Sequence, residues 1–163
     1  METILIEEGH PIALFDTYLS MIEGSVGSKQ YLRLFIKTKE GVPCDVIENG
    51  RFACAYFASS ILTLTGLCTR GVHTTVTETI ADMQQSNWYQ IDHLTKGAVI
   101  IWSPKLCSDG NQHQHIGFSI GDDMAVSTDG QTGIPTKHDV TYRTILGPPV
   151  REISKIFFHD TLR

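Results

Sequence analysis

The sequence has no apolar run that approaches the roughly 20 residues a membrane-spanning helix requires. It has no Lys/Arg cluster, and its 18 acidic and 13 basic residues give a formal net charge of −5 at pH 7. A chain with this charge pattern is not expected to bind nucleic acid. Residues 1–9 are acidic and lack a basic segment before an apolar core, so the sequence predicts no secretory signal and a cytoplasmic location.

Close cysteine spacing is also missing, because Cys44, Cys54, Cys68 and Cys107 are scattered without a CxxC pair. This pattern argues against a zinc knuckle and against a disulfide scaffold, and it predicts reduced thiols. No internal repeat, low-complexity tract or linker divides the 163 residues, so we expect a single domain over 1–163.

Residues 51–66 form the most informative stretch of the chain. Apolar or small residues recur there on one helical face, namely Cys54, Phe57, Ala58, Ile61, Leu62 and Thr65. Gly66 then ends the predicted helix. Cys54 begins it, where free backbone N–H groups and the helix dipole would lower the pKa of the thiol and hold an oxyanion. The alternative is a buried structural cysteine.

Other patterns place helices before strands. Helices are predicted from Pro11 to Gly24 and, after a capping box formed by Thr75 and Glu78, to about Ser86. The predicted strands are bounded by glycine, proline and turn residues and cover 31–38, 88–91, 98–102, 116–120, 124–127 and 151–159, with Pro104 ending the third. Helices followed by a run of antiparallel strands indicate an α+β fold.

His115 opens a predicted strand directly after a polar loop and is the candidate base for Cys54. An imidazole at the mouth of a strand, facing a helix start, would take the thiol proton and later deliver it to the leaving amine. His113 and His115 would also point the same way in a strand, so the rival interpretation is a zinc site. Its third ligand would be His10, His73, His93 or His138.

Three segments resemble the NlpC-type cysteine peptidases of the papain-like superfamily, to which the CHAP amidases are related: CAYF from Cys54, LTKGAVIIW over 94–102 and HIGFSIGD from His115. The resemblance covers roughly residues 50–160. It implies a papain-like core with a six-stranded antiparallel sheet on the nucleophile helix, hydrolysis of amide bonds in cell-wall peptides, Cys54 as nucleophile and His115 as base. Residues 1–50 would then be a divergent extension of helix plus strand, and no cofactor or metal is implied.

The sequence departs from this family around the cysteine and at the third catalytic position. Ala53, Ala55 and Tyr56 flank Cys54 where the family usually has Asp before the cysteine and Ser-Gly after it. The residue that orients the histidine normally lies on the following strand, and simple alignment across the hairpin turn places it on or near Val126.

Val126 cannot hydrogen-bond an imidazole. A two-residue turn would instead pair Ser119 with Val126 and put Thr128 on the face of His115. Asp129, next to it, would hold an imidazolium more strongly, and we predict Asp129 as the third residue. His138 is a more distant candidate.

Three functions follow as hypotheses. The first is a thiol amidase or peptidase that acts on a peptide or a peptidoglycan fragment through a thioester, with acyl transfer as a variant of the same chemistry. The second is a non-catalytic peptide- or glycopeptide-binding module on the same scaffold. The third is a histidine-rich metal hydrolase.

Overall fold

The computed structural model describes residues 11–107 and 109–163, and it combines helices with antiparallel sheets as expected for the α+β class. Its three α-helices are α1 (Leu14–Gly24), α2 (Ala53–Leu64) and α3 (Val76–Gln85). The strands are β1 (Phe35–Lys37), β2 (Pro43–Asp45), β3 (Tyr89–Ile91), β4 (Val99–Leu106), β5 (Gln112–Gly121), β6 (Met124–Thr128), β7 (Pro135–Asp139) and β8 (Ile153–Phe158). No helix in these two ranges is long and apolar enough to cross a membrane.

Six strands form one sheet in the order β3-β8-β4-β5-β6-β7, and every neighbouring pair is antiparallel. β1 and β2 form a separate two-stranded sheet. Helix α2 packs on β5 and β6, with Phe57 edge-on to Phe118 at 5.5 Å between ring centroids. Tyr18 of α1 meets the same ring at 5.7 Å. The main core therefore lies between α2 and the middle of the large sheet.

Helix α2 is buried on almost every side rather than on one face, since Ser59 and Ser60 are buried along with its apolar residues. Both hydroxyls donate back to carbonyls one turn earlier, Ser59 to Ala55 O at 2.7 Å and Ser60 to Tyr56 O at 2.6 Å, so their burial leaves no donor unpaired. Gly66 follows the helix with φ +72°, which confirms the predicted stop.

Several predicted bounds are wrong in instructive ways. The first helix begins at Leu14 rather than Pro11, and Ile12 is 59% exposed. The strand predicted over 31–38 shortens to Phe35–Lys37. Strand β4 continues through Pro104, because its register with β5 shifts between Trp102 and Lys105 and a bulge tolerates the missing proline N–H.

The hairpin of β5 and β6 forms where predicted, but with a different register. Asp122 and Asp123 both have positive φ, as a two-residue hairpin turn requires. The pairing then shifts between Ser119 and Gly121, so Ser119 pairs with Ala125 and not with Val126. This one-residue shift decides which side chain of β6 lies on the same face as His115.

Candidate active site

Cys54 lies in the first turn of α2, as predicted. The N-cap residue Phe52 provides no side-chain cap, whereas Thr75 caps α3 by accepting from the Glu78 N–H at 3.2 Å. Within the described residues, the N–H groups of Cys54 and Ala55 have no backbone acceptor. These two N–H groups and the N–H of Ile116 on β5 each favour the Cys54 thiolate and lower the pKa of the thiol. Helix α2 therefore presents uncapped amide donors to the sulfur and to anything bonded to it.

The thiol pKa of Cys54 nevertheless differs from the sequence prediction, which placed it below that of a free cysteine. Burial raises the pKa of Cys54, and this effect outweighs the three amides and the positive charge of Arg151 that lower it. The prediction considered the helix start alone and not the packing of α2 beneath β5. Cys54 therefore rests as a thiol at neutral pH.

A close backbone contact holds the start of α2 against the loop between β6 and β7. Gly50 and Gly133 both have positive φ, and a Cβ built on Gly133 would lie 2.5 Å from the Gly50 Cα. A Cβ on Gly50 would in turn lie 3.0 Å from the Gly133 Cα. The two segments can approach this closely only because neither residue has a side chain.

Ser127 of β6 is the centre of a polar network that includes His115. Its Oγ lies 3.0 Å from His115 Nε2, 2.8 Å from His138 Nε2 and 2.8 Å from the Tyr142 hydroxyl. Ser127 is buried, and the three aromatic partners are half-buried around it. Residues from β5, β6, β7 and the loop after β7 are thus joined through one hydroxyl.

The hydrogen-bond inventory of this network assigns the tautomer of His115. His138 Nδ1 lies 2.7 Å from the Asp139 carbonyl, which can only accept, so Nδ1 carries a proton. Burial lowers the pKa of His138, so its ring is neutral at pH 7 and Nε2 accepts from the Ser127 hydroxyl. Ser127 Oγ must then accept from both Tyr142 and His115 Nε2–H. The neutral His115 ring therefore keeps its lone pair on Nδ1.

Trp102 and Gly117 pack against the residues of this network. The Trp102 ring lies 5.5 Å from His115, 5.7 Å from His138 and 5.5 Å from Tyr142, between centroids, and its Nε1–H donates to Val140 O. His138 and Tyr142 stack at 3.9 Å with an interplanar angle of 13°. Gly117 pairs with Ser127, and a Cβ on it would lie 2.6 Å from the Ser127 Cβ. Glycine in the HIG segment thus leaves room for the serine.

The imidazole of His115 is neutral at physiological pH. Burial lowers its pKa to about 3, and the positive charge of Arg151 acts in the same direction. The Thr128 backbone and the Asp129 carboxylate oppose this shift. At hydrogen-bond geometry, however, Ser127 is the one partner of the ring among the described residues. An unprotonated imidazole is therefore available across the physiological pH range.

Asp129, the predicted third residue, lies near His115 but is occupied by its own loop. Its Oδ1 accepts from Gln131 N at 3.0 Å, Thr132 N at 2.8 Å and Thr132 Oγ1 at 2.9 Å. These bonds and the nearby His115 lower the pKa of Asp129. Its charge reaches His115, but no hydrogen bond joins the two within 11–107 and 109–163.

The other two candidates for the third position take different places. Thr128 alternates with Ser127 and lies on the opposite face of β6. His138 reaches His115 only through Ser127.

The histidines considered as zinc ligands have separate partners. His113 contacts Asp109 at 2.7 Å, His73 contacts the fully buried Asp82 at 2.8 Å, and His93 contacts Asp92 at 2.9 Å. His10 lies outside the described residues. In the part of the chain that the structure describes, no three His, Cys, Asp or Glu side chains are grouped to hold a metal ion.

Sequence reasoning missed Ser127, Tyr142 and Arg151. Tyr142 has a positive φ of 58° and follows a turn in which Asp139 accepts from Thr141 N at 2.8 Å and Thr141 Oγ1 at 2.7 Å. An Asp two residues before a Thr is a recognisable turn signal. The direction in which the Tyr142 side chain then points cannot be predicted from that signal. No protein-family model matches the sequence, and no curated protein matches it.

Proposed function

We propose that this protein is a thiol amidase or peptidase with an NlpC-type, papain-like core that cleaves an amide bond in cell-wall-type peptides. The observation that carries the proposal is the Ser127 bridge. It fixes the His115 ring and leaves Nδ1 unprotonated, one residue before Ile116, whose backbone N–H lowers the thiol pKa of Cys54. The order of cysteine helix, buried strand and histidine strand along the chain supports the same family.

The first half of the reaction forms a thioester. His115 Nδ1 takes the thiol proton while Cys54 Sγ bonds to the substrate carbonyl carbon, so no ion pair is needed beforehand. The carbonyl oxygen becomes an oxyanion, and the free N–H groups of Cys54 and Ala55 are suitably placed donors for it. Collapse of this intermediate breaks the C–N bond, and His115 delivers its proton to the leaving amine.

The second half releases the acid product. A water molecule gives a proton to His115 Nδ1 and adds to the thioester carbonyl. The C–S bond then breaks, and the Cys54 sulfur recovers the proton from His115. Ser127 accepts the Nε2–H bond throughout, so the imidazolium that forms in each half keeps its orientation. An amine or alcohol in place of this water would give acyl transfer by the same steps.

The test is covalent labelling by an electrophilic peptide. Cys44 and Cys107 are exposed, so they are first changed to serine to remove competing thiols. We expect an acetyl-dipeptide chloromethyl ketone to label Cys54 stoichiometrically and His115→Ala to abolish that labelling. Cys54→Ala serves as the control for residual reaction at the buried Cys68. Labelling that proceeds equally in His115→Ala would refute the proposed pair.

A non-catalytic peptide-binding module is the second candidate, because burial keeps both members of the pair neutral at rest. In that case the labelled cysteine would be no more reactive than a free thiol, and Cys54→Ser would bind peptides as tightly as the wild type. Release of new amino groups from cell-wall peptide fragments by the wild type, and not by Cys54→Ser, would decide for the enzyme.

A further inference from the structure

Arg151 is a half-buried arginine that has no carboxylate within ion-pair distance among the described residues. Three more exposed arginines do have one: Arg51 with Glu48 at 3.1 Å, Arg143 with Asp139 at 2.9 Å and Arg163 with Asp160 at 3.3 Å. A guanidinium that is partly removed from water usually has an anionic partner. Arg151 is therefore unusual, and what offsets its partly buried charge has to be explained.

The backbone accounts for only part of its hydrogen-bonding capacity. Arg151 Nε donates to Ser103 O at 3.1 Å and Nη2 donates to His113 O at 2.9 Å. Ser103 lies within the bulge of β4, and His113 pairs with Lys105 directly after it, so these two bonds hold the guanidinium beside the start of β5, two residues before His115. A guanidinium has five N–H groups. Three of them have no acceptor in the described part of the chain.

The guanidinium lies next to the candidate active site, because Nη2 bonds to the carbonyl of His113, two residues before His115. The positive charge of Arg151 acts on Cys54, His115 and Tyr142, favouring the thiolate and disfavouring the imidazolium. Asp109, on the loop before β5, and Asp129, on the loop after β6, already have other partners: Asp109 contacts His113, and Asp129 contacts Thr132. A bound anion could therefore accept hydrogen bonds from the N–H groups of Arg151 that have no acceptor among the described residues.

On the basis of the proposed function, we infer that Arg151 is a specificity-determining residue that binds a carboxylate of the substrate close to the attacked carbonyl. The planar guanidinium suits a carboxylate, which can accept two parallel N–H bonds. Its position is fixed by the bulge carbonyls before substrate arrives, so little side-chain entropy is lost on binding.

The experiment compares two acetyl-dipeptide chloromethyl ketones that differ only in Glu or Gln at the residue bearing the ketone. The protein carries the Cys44→Ser and Cys107→Ser changes, and the rate constant of Cys54 labelling is followed by mass spectrometry. We expect the Glu probe to react about ten- to a hundredfold faster, the range for a hydrogen bond between charged groups. The preference should shrink with added salt, and in Arg151→Gln the rates with the Glu and Gln probes should become equal.

Each outcome separates this inference from the proposed function. Equal labelling by both probes in the wild type would overturn the role of Arg151 while leaving the Cys54 reaction intact. Absence of Cys54 labelling by either probe would instead overturn the proposed function. If the preference for the Glu probe persists in Arg151→Gln and both rates fall together, the inference is overturned, and Arg151 only stabilises the bulge in β4. If Arg151→Gln unfolds, Arg151→Lys and the wild-type salt dependence provide the same comparison.

Discussion

Replacing Ser127 with alanine removes the hydroxyl that joins three side chains, and its effects on stability and on reactivity can be separated. Ser127 is 1% exposed and makes contacts of 3.0, 2.8 and 2.8 Å to His115, His138 and Tyr142. At about 1 kcal/mol net for each bond, the free energy of unfolding should fall by roughly 2–3 kcal/mol. Water that enters beside the half-buried rings would reduce this loss.

The effect on reactivity has a different origin. Without Ser127 the His115 ring can rotate, and the imidazolium formed during attack loses a charged hydrogen bond worth about 1.5–3 kcal/mol. A loss of that size lowers the rate constant of Cys54 labelling by about ten- to a hundredfold. Binding of the probe should change little, because Ser127 is buried beneath the rings.

The matched control is Ser119→Ala. Ser119 is a fully buried serine on β5 whose hydroxyl is the one buried side-chain polar atom without a hydrogen-bond partner among the described residues. Its removal costs no bond, so stability should be unchanged or slightly higher. Labelling at the wild-type rate in Ser127→Ala, measured at a temperature where both variants are folded, would refute the orienting role of the network.

Three further predictions concern the pH dependence of the reaction, the packing at Gly117 and the buried contact between Asp82 and His73. Because burial and Arg151 lower the pKa of His115 to about 3, the acid limb of kcat/KM should lie well below the pH 6–7 of an ordinary histidine; a limb near pH 6.5 would contradict this. Gly117→Ala should destabilise the fold by about 1–3 kcal/mol and slow labelling, whereas Gly130→Ala, with open space around its Cβ, should do neither. Burial would raise the pKa of Asp82, but bonds from His73 and backbone amides lower it overall, so its stabilising effect is present above about pH 4 and lost below it. Acid titration of Asp82→Asn should therefore show a weaker loss of stability than the wild type.

Local signals were sufficient for most elements that carry the site. The cysteine at the start of α2, the Gly66 stop, the Thr75 cap and the β5–β6 hairpin each depend on a few adjacent residues, and each lies where it was predicted. His115 does not open the strand as predicted, because β5 begins at Gln112, but it is half-buried and directly precedes the fully buried run that starts at Ile116.

The partner of His115 could not be read in the same way, because it depends on strand register. One residue of shift before Gly121 replaces Thr128 with Ser127 on the face of His115. The prediction that the thiol pKa of Cys54 is lowered was wrong for a related reason. Burial under β5 raises this pKa, and burial is a tertiary property that no local sequence pattern contains. Tyr142 and Arg151 both lie in the connection between β7 and β8, far along the chain from Cys54, and they carry no motif.

The contact between Gly50 and Gly133 has a consequence for how this protein can be controlled. Cys54, the proposed nucleophile, belongs to the segment that follows Gly50, and Ser127 and His138 lie on the strands on either side of Gly133. A methyl group at either glycine would push the segment before α2 away from the loop between β6 and β7, since the two backbones already lie closer than a side chain allows. Gly133→Ala should therefore shift Cys54 relative to the Ser127 network while every side chain of the candidate site is still present, so it would test how far their relative position matters.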